Sequence, residues 1–437
     1  MRPDIIKFIF FSLCFISLAW IVTGGRVAGG GGGGGGKTGG PKGGAVAATK
    51  QSGGSGTFNV KNFGAKGDGR NDDSKAFTAA WKAACGSKGP VKLFIPKGTF
   101  LLGPIKFVGP CNTVDSFTVQ MQGFLKASTD LSRYGSSEDW IEFGWVEGLT
   151  LTGGGTFDGQ GAASWPFNKC PTNVKCKVLP TNVKFVQMTN TIVKSITSLN
   201  SKFFHIAVLD CKNFKGSGIR ISAPGNSPNT DGIHLERSSD VTISDSVIGT
   251  GDDCVSIGQG NTNVHIKGVS CGPGHGISVG SLGKYQDEGD VTGLVVRDCT
   301  LSGTMNGVRI KTWANSPDSS VASNMTFEDI VMNNVANPII IDQTYCPYST
   351  CDSMAPSRVK LSDLYFRNIR GTSSSPVAVT LECSKGVPCQ NVNFEEVHLD
   401  LARSGGNIAK SSCRHVAVKY SGTQIPPPCS MNANIHN

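Results

Sequence analysis

The stretch "SPNTDGIHLERSSDVTISDSVIGTGDDC" (residues 227–254) decides the fold, because it shows the same pattern twice, one period apart. Asp231 and Asp253 each precede a short run of alternating apolar residues, and each has a glycine within two residues. The two aspartates are 22 residues apart, and His275 follows after another 22 at the start of a third run. Short strands that recur at such a period are typical of a parallel β-helix.

The period predicts which side chains share a surface. Successive coils of a β-helix stack at the inter-strand distance of roughly 4.8 Å, so residues one period apart lie above one another. We therefore expect Asp231, Asp253 and His275 to form a column on the outer face, with Asp252 beside it. The sequence predicts an acidic patch on one side of the solenoid.

The same strands predict an all-β fold with an apolar interior. Side chains alternate between the two faces of a strand, so every second residue of a run points inward. The expected inward set is Ile233, Leu235, Val255, Ile257, Ile277, Val279, Val308 and Ile310. Arg309 aligns with the outward residues of the preceding runs, and Lys311 lies two positions further along the same outer face.

One segment of this chain has a helical pattern suited to closing the end of a solenoid. Residues 72–85 carry Phe77, Trp81 and Ala84 on one side, and Asp72 or Asp73 is expected to cap the first turn. A helix in this segment is predicted to cover the first coil.

The N-terminal region predicts a signal peptide over residues 1–23 and a Gly-rich flexible linker over residues 24–56. Residues 8–22 are apolar, but this length is below the roughly 20 residues that a membrane span needs. An uncleaved membrane anchor is the alternative. Residues 57–437 are then expected to form one β-helix domain.

Cysteine content indicates an oxidising compartment. The chain has 15 cysteines, and loss of Cys14 with the signal peptide leaves an even number, which suits disulfides. Local bridges are suggested by the close pairs Cys170/Cys176, Cys346/Cys351, Cys383/Cys389 and Cys413/Cys429.

Net charge does not favour nucleic acid as a partner. The formal charge is +9, but residues 1–56 hold six basic residues and one acidic residue, so only +4 belongs to the predicted domain. A mildly basic body is compatible with a polyanionic substrate, but a charge this small does not by itself indicate one.

The acidic patch has the composition of a site for acid/base chemistry. Carboxylates this close cannot all ionise freely, so at least one pKa should rise. A protonated acid beside ionised neighbours is what cleavage of a glycosidic bond requires. Arg309 and Lys311 form either a solvated strand face or a clamp for a substrate carboxylate.

Four short motifs resemble the signature motifs of glycoside hydrolase family 28, the polygalacturonases. They are, in chain order, Asn229-Thr230-Asp231, Gly251-Asp252-Asp253, Gly274-His275-Gly276 and Arg309-Ile310-Lys311. The resemblance covers roughly residues 57–430 and implies a single-stranded right-handed parallel β-helix of the pectin-lyase-like type. Longer runs such as NPIIIDQTYCPY (337–348) are most similar to plant exopolygalacturonases of the pollen type.

The resemblance implies inverting hydrolysis of α-1,4-linked galacturonic acid chains, with exo action. Asp252 would be the general acid, Asp231 and Asp253 would hold and activate the water, and His275 would orient the acid. An inverting geometry has carboxyl groups roughly 6.5–9.5 Å apart. The implied substrate-binding residues are Asn229, Arg309, Lys311 and Tyr345. The resemblance also implies a Cys254–Cys271 disulfide, and it implies no metal and no other cofactor.

Three alternatives stay open from the sequence. They are an endo-acting polygalacturonase, a β-helical pectate lyase that holds Ca²⁺ with its carboxylates and uses an arginine as base, and a wall-polysaccharide-binding β-helix without activity. In each case we expect a monomer that is secreted to the extracellular space or cell wall. Polygalacturonate or pectin is the expected partner, with no nucleic acid and no membrane contact after signal cleavage.

Overall fold

The structure, a computed structural model, describes residues 56–170, 173, 176–347, 355–402 and 408–429. The predicted signal peptide and nearly all of the predicted linker lie outside the described residues, so both assignments stay predictions. The first strand begins at Gly56, at the boundary expected for the β-helix domain.

Parallel strands make up almost all of the described chain and form two sheets, of 11 and 22 strands. Sheet 1, which receives one strand from each coil, comprises Ile105–Val108, Asp139–Gly144, Thr181–Val186, Ile206–Leu209, Ile233–Glu236, Val255–Ile257, Ile277–Leu282, Asn306–Trp313, Asn337–Tyr345, Val377–Glu382 and Lys410–Arg414. The chain therefore winds as the predicted right-handed parallel β-helix.

Sheet 2 completes each coil, with two strands per coil from Gly56 as far as Ser302 and with one long strand per coil from Val321 onwards. Its members are Gly56–Asn59, Asp68–Asp72, Gly89–Ile95, Thr99–Leu102, Val114–Met121, Phe124–Ala127, Leu149–Thr152, Thr156–Asp158, Thr189–Lys194, Thr197–Leu199, Lys212–Ser217, Arg220–Ser222, Ser239–Ser244, Val247–Gly249, Thr262–Lys267, Ser270–Cys271, Val291–Arg297, Thr300–Ser302, Val321–Val335, Lys360–Ser373, Cys389–Leu401 and Val416–Ile425.

The strand register in sheet 1 confirms the alignment predicted from the 22-residue period. Ile233 pairs with Val255, Val255 with Ile277, and Ile277 with Val308. All eight residues expected to point inward are buried. Full burial of an aliphatic side chain contributes roughly 1.5–3 kcal/mol, so this apolar stack also fixes which side chains face outward.

Helix α1 (Ser74–Cys85) covers the first coil, as predicted. Its buried face includes Phe77, Trp81 and Ala84. The indole of Trp81 stacks on Phe117 with ring centroids 4.5 Å apart and donates a hydrogen bond to the Val108 carbonyl at 3.0 Å. The open apolar end of the solenoid is thus closed by the helix.

The N-cap residue of α1 is Asp73, whose side chain makes no capping hydrogen bond. The Asp72 carboxylate accepts a hydrogen bond from the Ser74 backbone N–H at 2.9 Å. The Asp73 carboxylate instead accepts from the N–H groups of Lys66 and Gly67, at 2.6 and 3.0 Å. Four 3₁₀ helices complete the described helices: Val60–Phe63, Leu131–Tyr134, Gly161–Ala163 and Trp165–Phe167.

Disulfides in the described chain confirm most of the expected pairing. They join Cys85–Cys111, Cys170–Cys176, Cys254–Cys271, Cys383–Cys389 and Cys413–Cys429. Cys346 also forms a disulfide, and its expected partner Cys351 lies outside the described residues. Cys211 and Cys299 are buried free thiols, so the even cysteine count did not mean complete pairing.

No helix of the described chain has the length and apolar character needed to cross a membrane.

Candidate active site

The predicted acidic column exists on sheet 1, at the points where the chain enters three successive strands. Close stacking of the coils there depends on glycine. A Cβ atom on Gly251 would lie 2.0 Å from the Ser227 carbonyl oxygen, and one on Gly276 would lie 2.1 Å from that of Asn306. The glycines beside the acids therefore let neighbouring coils approach closely enough to bring the carboxylates together.

Asp253 is the acid that the structure holds ionised. Its carboxylate accepts hydrogen bonds from Ser278 Oγ at 2.7 Å, from an Arg309 guanidinium nitrogen at 2.9 Å and from Lys311 Nζ at 2.9 Å. Burial would raise the pKa of Asp253, but the charges of Lys311 and Arg309 outweigh burial and lower the pKa to about 2. Asp253 is thus a fixed negative charge at the centre of the site.

The side-chain partners of Asp252 are an imidazole and an amide instead of Lys or Arg. Its carboxylate lies 3.0 Å from His275 Nδ1 and accepts a hydrogen bond from the Asn229 side chain at 3.4 Å. The side chain is 18% exposed, compared with 1% for Asp253. The structure therefore brings His275 and Asn229 to this acid, where the sequence placed them, and leaves Asp252 open to a ligand.

Asp231 is the acid whose protonated form the structure favours. Burial, followed by the charges of Asp252 and Asp253, raises the pKa of Asp231 well above its usual range. Lys311 and a hydrogen bond with Ser256 oppose this shift without reversing it. The direction of this shift agrees with the expectation that at least one pKa of the cluster would rise. The acid concerned is Asp231, and not Asp252, to which the resemblance gives the role of proton donor.

A hydrogen-bonded chain behind Asp231 was not assigned from the sequence. His234 Nδ1 lies 2.9 Å from Ser256 Oγ, and Ser256 in turn bonds Asp231. On its other side, His234 Nε2 lies 3.5 Å from the Glu236 carboxylate, and its ring stacks on Phe204 with centroids 4.7 Å apart. The column shared by His234, Ser256 and Arg309 was the sequence signal that could have identified this chain.

Arg309 and Lys311 lie on the outer face of sheet 1, but their side chains are more buried than the sequence suggested and are already paired with an acid. Their side chains are 13% and 10% exposed, and both point at Asp253. Lys311 Nζ also lies 5.6 Å from the ring centroid of Tyr345. Tyr345 is thus brought to the site as the resemblance implied, and burial raises the pKa of its hydroxyl.

A long connection on the N-terminal side reaches into the site. Residues 159–180, of which 159–170, 173 and 176–180 are described, connect a strand of sheet 2 to the sheet 1 strand Thr181–Val186, two coils before Asp231. The Asn168 side chain donates hydrogen bonds to the Asn229 side chain at 3.1 Å and to the Pro228 carbonyl at 3.4 Å. This connection, absent from the sequence-based assignment, contacts the residue that bonds Asp252.

A cation could in principle be held by Asp252, Asp253 and His275, each of which offers a ligand atom within 4.8 Å of the others. Both oxygens of Asp253 are, however, already bonded to positive groups of Arg309 and Lys311. Ca²⁺ prefers six to eight oxygen ligands, and a divalent cation here would be repelled by two fixed charges. The donor set suits acid/base chemistry better than calcium.

The spacing of one acid pair differs from the expectation for inversion. An oxygen of Asp252 lies within 4.8 Å of an oxygen of Asp253, which is closer than the roughly 6.5–9.5 Å that leaves room for a water. The separation of this pair does not by itself indicate inversion, so the stereochemistry stays a prediction.

The fold and the site together define a β-helical carbohydrate hydrolase with an acid cluster on its outer face. Residues 85–422 match the family described as Glycosyl hydrolases family 28. The chain belongs to this family.

The chain is similar to plant exopolygalacturonases over most of its length. It is 50% identical to an exopolygalacturonase of Platanus acerifolia over 376 residues, covering 86% of this chain and 98% of that protein. It is 48% identical to an exopolygalacturonase of Zea mays over 373 residues, covering 85% and 90%.

Solved structures share the fold. An exopolygalacturonase from Thermotoga maritima has a TM-score of 0.70 at 21% identity and covers 84% of this chain and 90% of its own. An endo-xylogalacturonan hydrolase from Aspergillus tubingensis also has a TM-score of 0.70, at 23% identity, covering 84% and 100%. At these identities the likeness concerns the architecture alone.

Proposed function

We propose that this protein hydrolyses the α-1,4-galacturonosyl linkages of polygalacturonate and acts from one end of the chain. The observation that carries the proposal is the division of labour among three adjacent acids. Asp253 is bonded to two cations, whereas Asp231 and Asp252 have no Lys or Arg nitrogen within 4.0 Å among the described residues. Asp252 is thereby left for proton transfer to the leaving group, and Asp231 for contact with the attacking water.

Asp252 donates the proton to the departing glycosidic oxygen. It is the more accessible of the two acids that lack a cation, and His275 is positioned to orient it or to exchange a proton with it. Asp231 and Asp253 hold and activate the attacking water. As the water oxygen bonds the anomeric carbon and the glycosidic bond breaks, the ionised carboxylate of this pair accepts the proton that the water loses. Asp253 also stabilises the positive charge that develops on the sugar ring. Family membership supports inversion as the stereochemical course.

Substrate carboxylates are recognised by the cationic side of the site. Arg309 offers guanidinium nitrogens and Lys311 an ammonium group, and a buried pair of cations favours a uronate over a neutral sugar. Tyr345 beside Lys311 and Asn229 beside Asp252 contribute hydrogen-bonding groups at opposite ends of this surface.

Exo action is supported by the connection over residues 159–180. Its Asn168 donates a hydrogen bond to Asn229, the residue that bonds Asp252, so this connection is placed to limit how far a polymer extends past the acids on that side. Release of single galacturonate units is then the expected outcome. The relatives named exopolygalacturonases point the same way.

We infer an extracellular site of action, at the cell wall, because several disulfides are formed in the described chain and such bridges persist in oxidising compartments. A monomer remains our expectation. Mass spectrometry of the N-terminus of the secreted protein tests the signal peptide, and sedimentation tests the monomer.

Product analysis on polygalacturonate tests the proposal. Galacturonate monomer as the early product supports exo hydrolysis, whereas a ladder of oligomers indicates an endo enzyme. The same reaction is run with excess chelator while absorbance of unsaturated products is recorded. Chelator-sensitive release of unsaturated uronides would instead establish a lyase, and binding without any new reducing ends would establish a non-catalytic protein. Proton NMR of the first product determines whether the anomeric configuration is inverted.

A further inference from the structure

We propose that Lys284, together with the rings of Trp313 and Tyr285, forms a second binding site for a uronate carboxylate, beyond the sugars that flank the scissile bond. This inference rests on the proposed function and specifies how longer chains are held. None of these three residues belongs to the four signature motifs, and none was predicted from the sequence to be a site residue.

A continuous series of contacts leads from the acids to this site. Lys311, which bonds Asp253, lies against Tyr345, and the Tyr345 ring meets the Trp313 ring edge-on with centroids 5.6 Å apart. Lys284 Nζ lies 5.3 Å from the Trp313 ring centroid and 5.1 Å from that of Tyr285. Basic and aromatic side chains are therefore in contact in series from Lys311 to Tyr285.

The ammonium group of Lys284 is available to a ligand. No carboxylate of the described chain lies within 4.0 Å of Lys284 Nζ. The Tyr285 side of the site is open to solvent, since Tyr285 is 64% exposed. A lysine held over aromatic faces keeps its charge and part of its hydration, so it can attract a carboxylate while the rings offer apolar surface to a sugar.

Hydrogen bonds to one carboxylate hold the loop that carries Lys284 in place. The Glu288 carboxylate accepts bonds from the backbone N–H groups of Gly283, Lys284 and Tyr285, at 2.6, 2.8 and 2.8 Å. These bonds satisfy Glu288 internally and position Lys284 beside Trp313. The site is thus largely organised before a ligand binds, which lowers the entropic cost of binding.

The location of this site fits the direction in which the polymer must leave the acids. On the N-terminal side, Asn168 is hydrogen-bonded to Asn229, and the proposed exo action requires the bound polymer to end there. Trp313 and Tyr345 end the two sheet 1 strands that stack C-terminal to the acid-bearing coils. The remainder of a bound chain would then extend towards Lys284, and the proposal assigns Lys284 to the third galacturonate, beyond the two sugars that flank the scissile bond.

Kinetics on digalacturonate and trigalacturonate test the inference. The expected result for K284A is a fall of about fivefold in the ratio of kcat/KM on trigalacturonate to kcat/KM on digalacturonate, mostly through KM. K284R should recover most of the ratio, because it restores the charge. K284M, which keeps the stem against Trp313 and removes the charge, should resemble K284A.

The matched control is K215A, which removes an exposed lysine from sheet 2 and should leave the ratio at its wild-type value. A wild-type ratio in both K284A and K284M, including an equal loss on both substrates, would overturn the inference. Failure of the proposed function has a different signature, since the wild-type protein would then release no galacturonate from either substrate.

Discussion

Sheet 1 carries two charged clusters on the same outer face, and only one of them has the properties of an active site. The N-terminal cluster consists of Lys106, Asp139, Glu142 and Lys184. The catalytic cluster consists of Asp231, Asp252, Asp253, Arg309 and Lys311. Both are built by the same stacking of coils, so their difference lies in composition and not in architecture.

Every acid of the N-terminal cluster touches a lysine. Lys184 contacts Asp139 and lies 3.1 Å from Glu142, and Lys106 lies 3.1 Å from the same carboxylate. Burial raises the pKa of Asp139 even so, while the two lysines outweigh burial and lower that of Glu142. A raised pKa therefore does not distinguish the two clusters. What distinguishes them is that the catalytic cluster contains acids that are not paired with Lys or Arg.

The largest expected effect comes from removing the proton donor of the catalytic cluster. D252N should lower kcat on polygalacturonate by about 10²–10⁴-fold, the range contributed by general acid catalysis, with thermal unfolding unchanged. E142Q in the N-terminal cluster is the matched control and should keep wild-type turnover.

An aryl α-galacturonide, whose phenolate leaves without protonation, separates the roles of the acids. D252N should recover most of its loss on this substrate, and D231N should not. Recovery in D231N alone would exchange the two assignments.

A second large effect concerns stability. D253N leaves Arg309 and Lys311 facing each other without their shared anion, and breaking a buried ion pair in this way costs about 3–5 kcal/mol of unfolding free energy. E142Q should cost about 1 kcal/mol or less, because Lys106 is 60% exposed and Lys184 keeps Asp139. Urea unfolding at pH 7 measures both, and equal losses would remove the distinction between the clusters.

Acid titration gives a smaller effect of defined sign. The pKa of Asp253 is lowered from 3.8 to about 2 on folding, so its contribution is present above pH 4 and is lost as the pH falls towards 2. The contribution amounts to about 2 kcal/mol. The stability difference between wild type and D253N should therefore shrink over this interval, and a constant difference would show that the ion pairs do not account for it.

The smallest predicted effect is an increase in stability. The raised pKa of Asp231 means that its contribution to stability is present at low pH and is lost as the pH rises through the folded-state pKa. D231N should therefore be inactive yet more stable than wild type, by about 1 kcal/mol at pH 8, with no difference at pH 4. A variant that is less stable than wild type at pH 8 would contradict the like-charge repulsion described here.

The parts of the fold that repeat could be predicted from the sequence. The intervals from Asp231 to Asp253 and from Asp253 to His275 fix the coil length, and alternation around Ile233 and Val255 fixes the inner and outer faces. These patterns are local and periodic, so few residues suffice to detect them. The helix over residues 72–85 could likewise be predicted from its amphipathic pattern.

Contacts between connections of unequal length could not be predicted. Asn168 reaches Asn229 across 61 residues of sequence, and Lys284 reaches Trp313 from a neighbouring coil. The Cys85–Cys111 bridge, which joins the end of α1 to a distant loop, was missed for the same reason. Such contacts depend on the path of each loop in space, which no period describes.

By itself, the sequence determined that distant acids lie on one outer patch, because a constant coil length converts separation along the chain into stacking. Only the tertiary structure decided how charge is divided within that patch. Asp253 receives both cations, which lower its pKa, whereas buried Asp231 receives neither and has a raised pKa. The physical reason is that a pKa depends on burial and on distances of a few ångströms, and side-chain packing sets both.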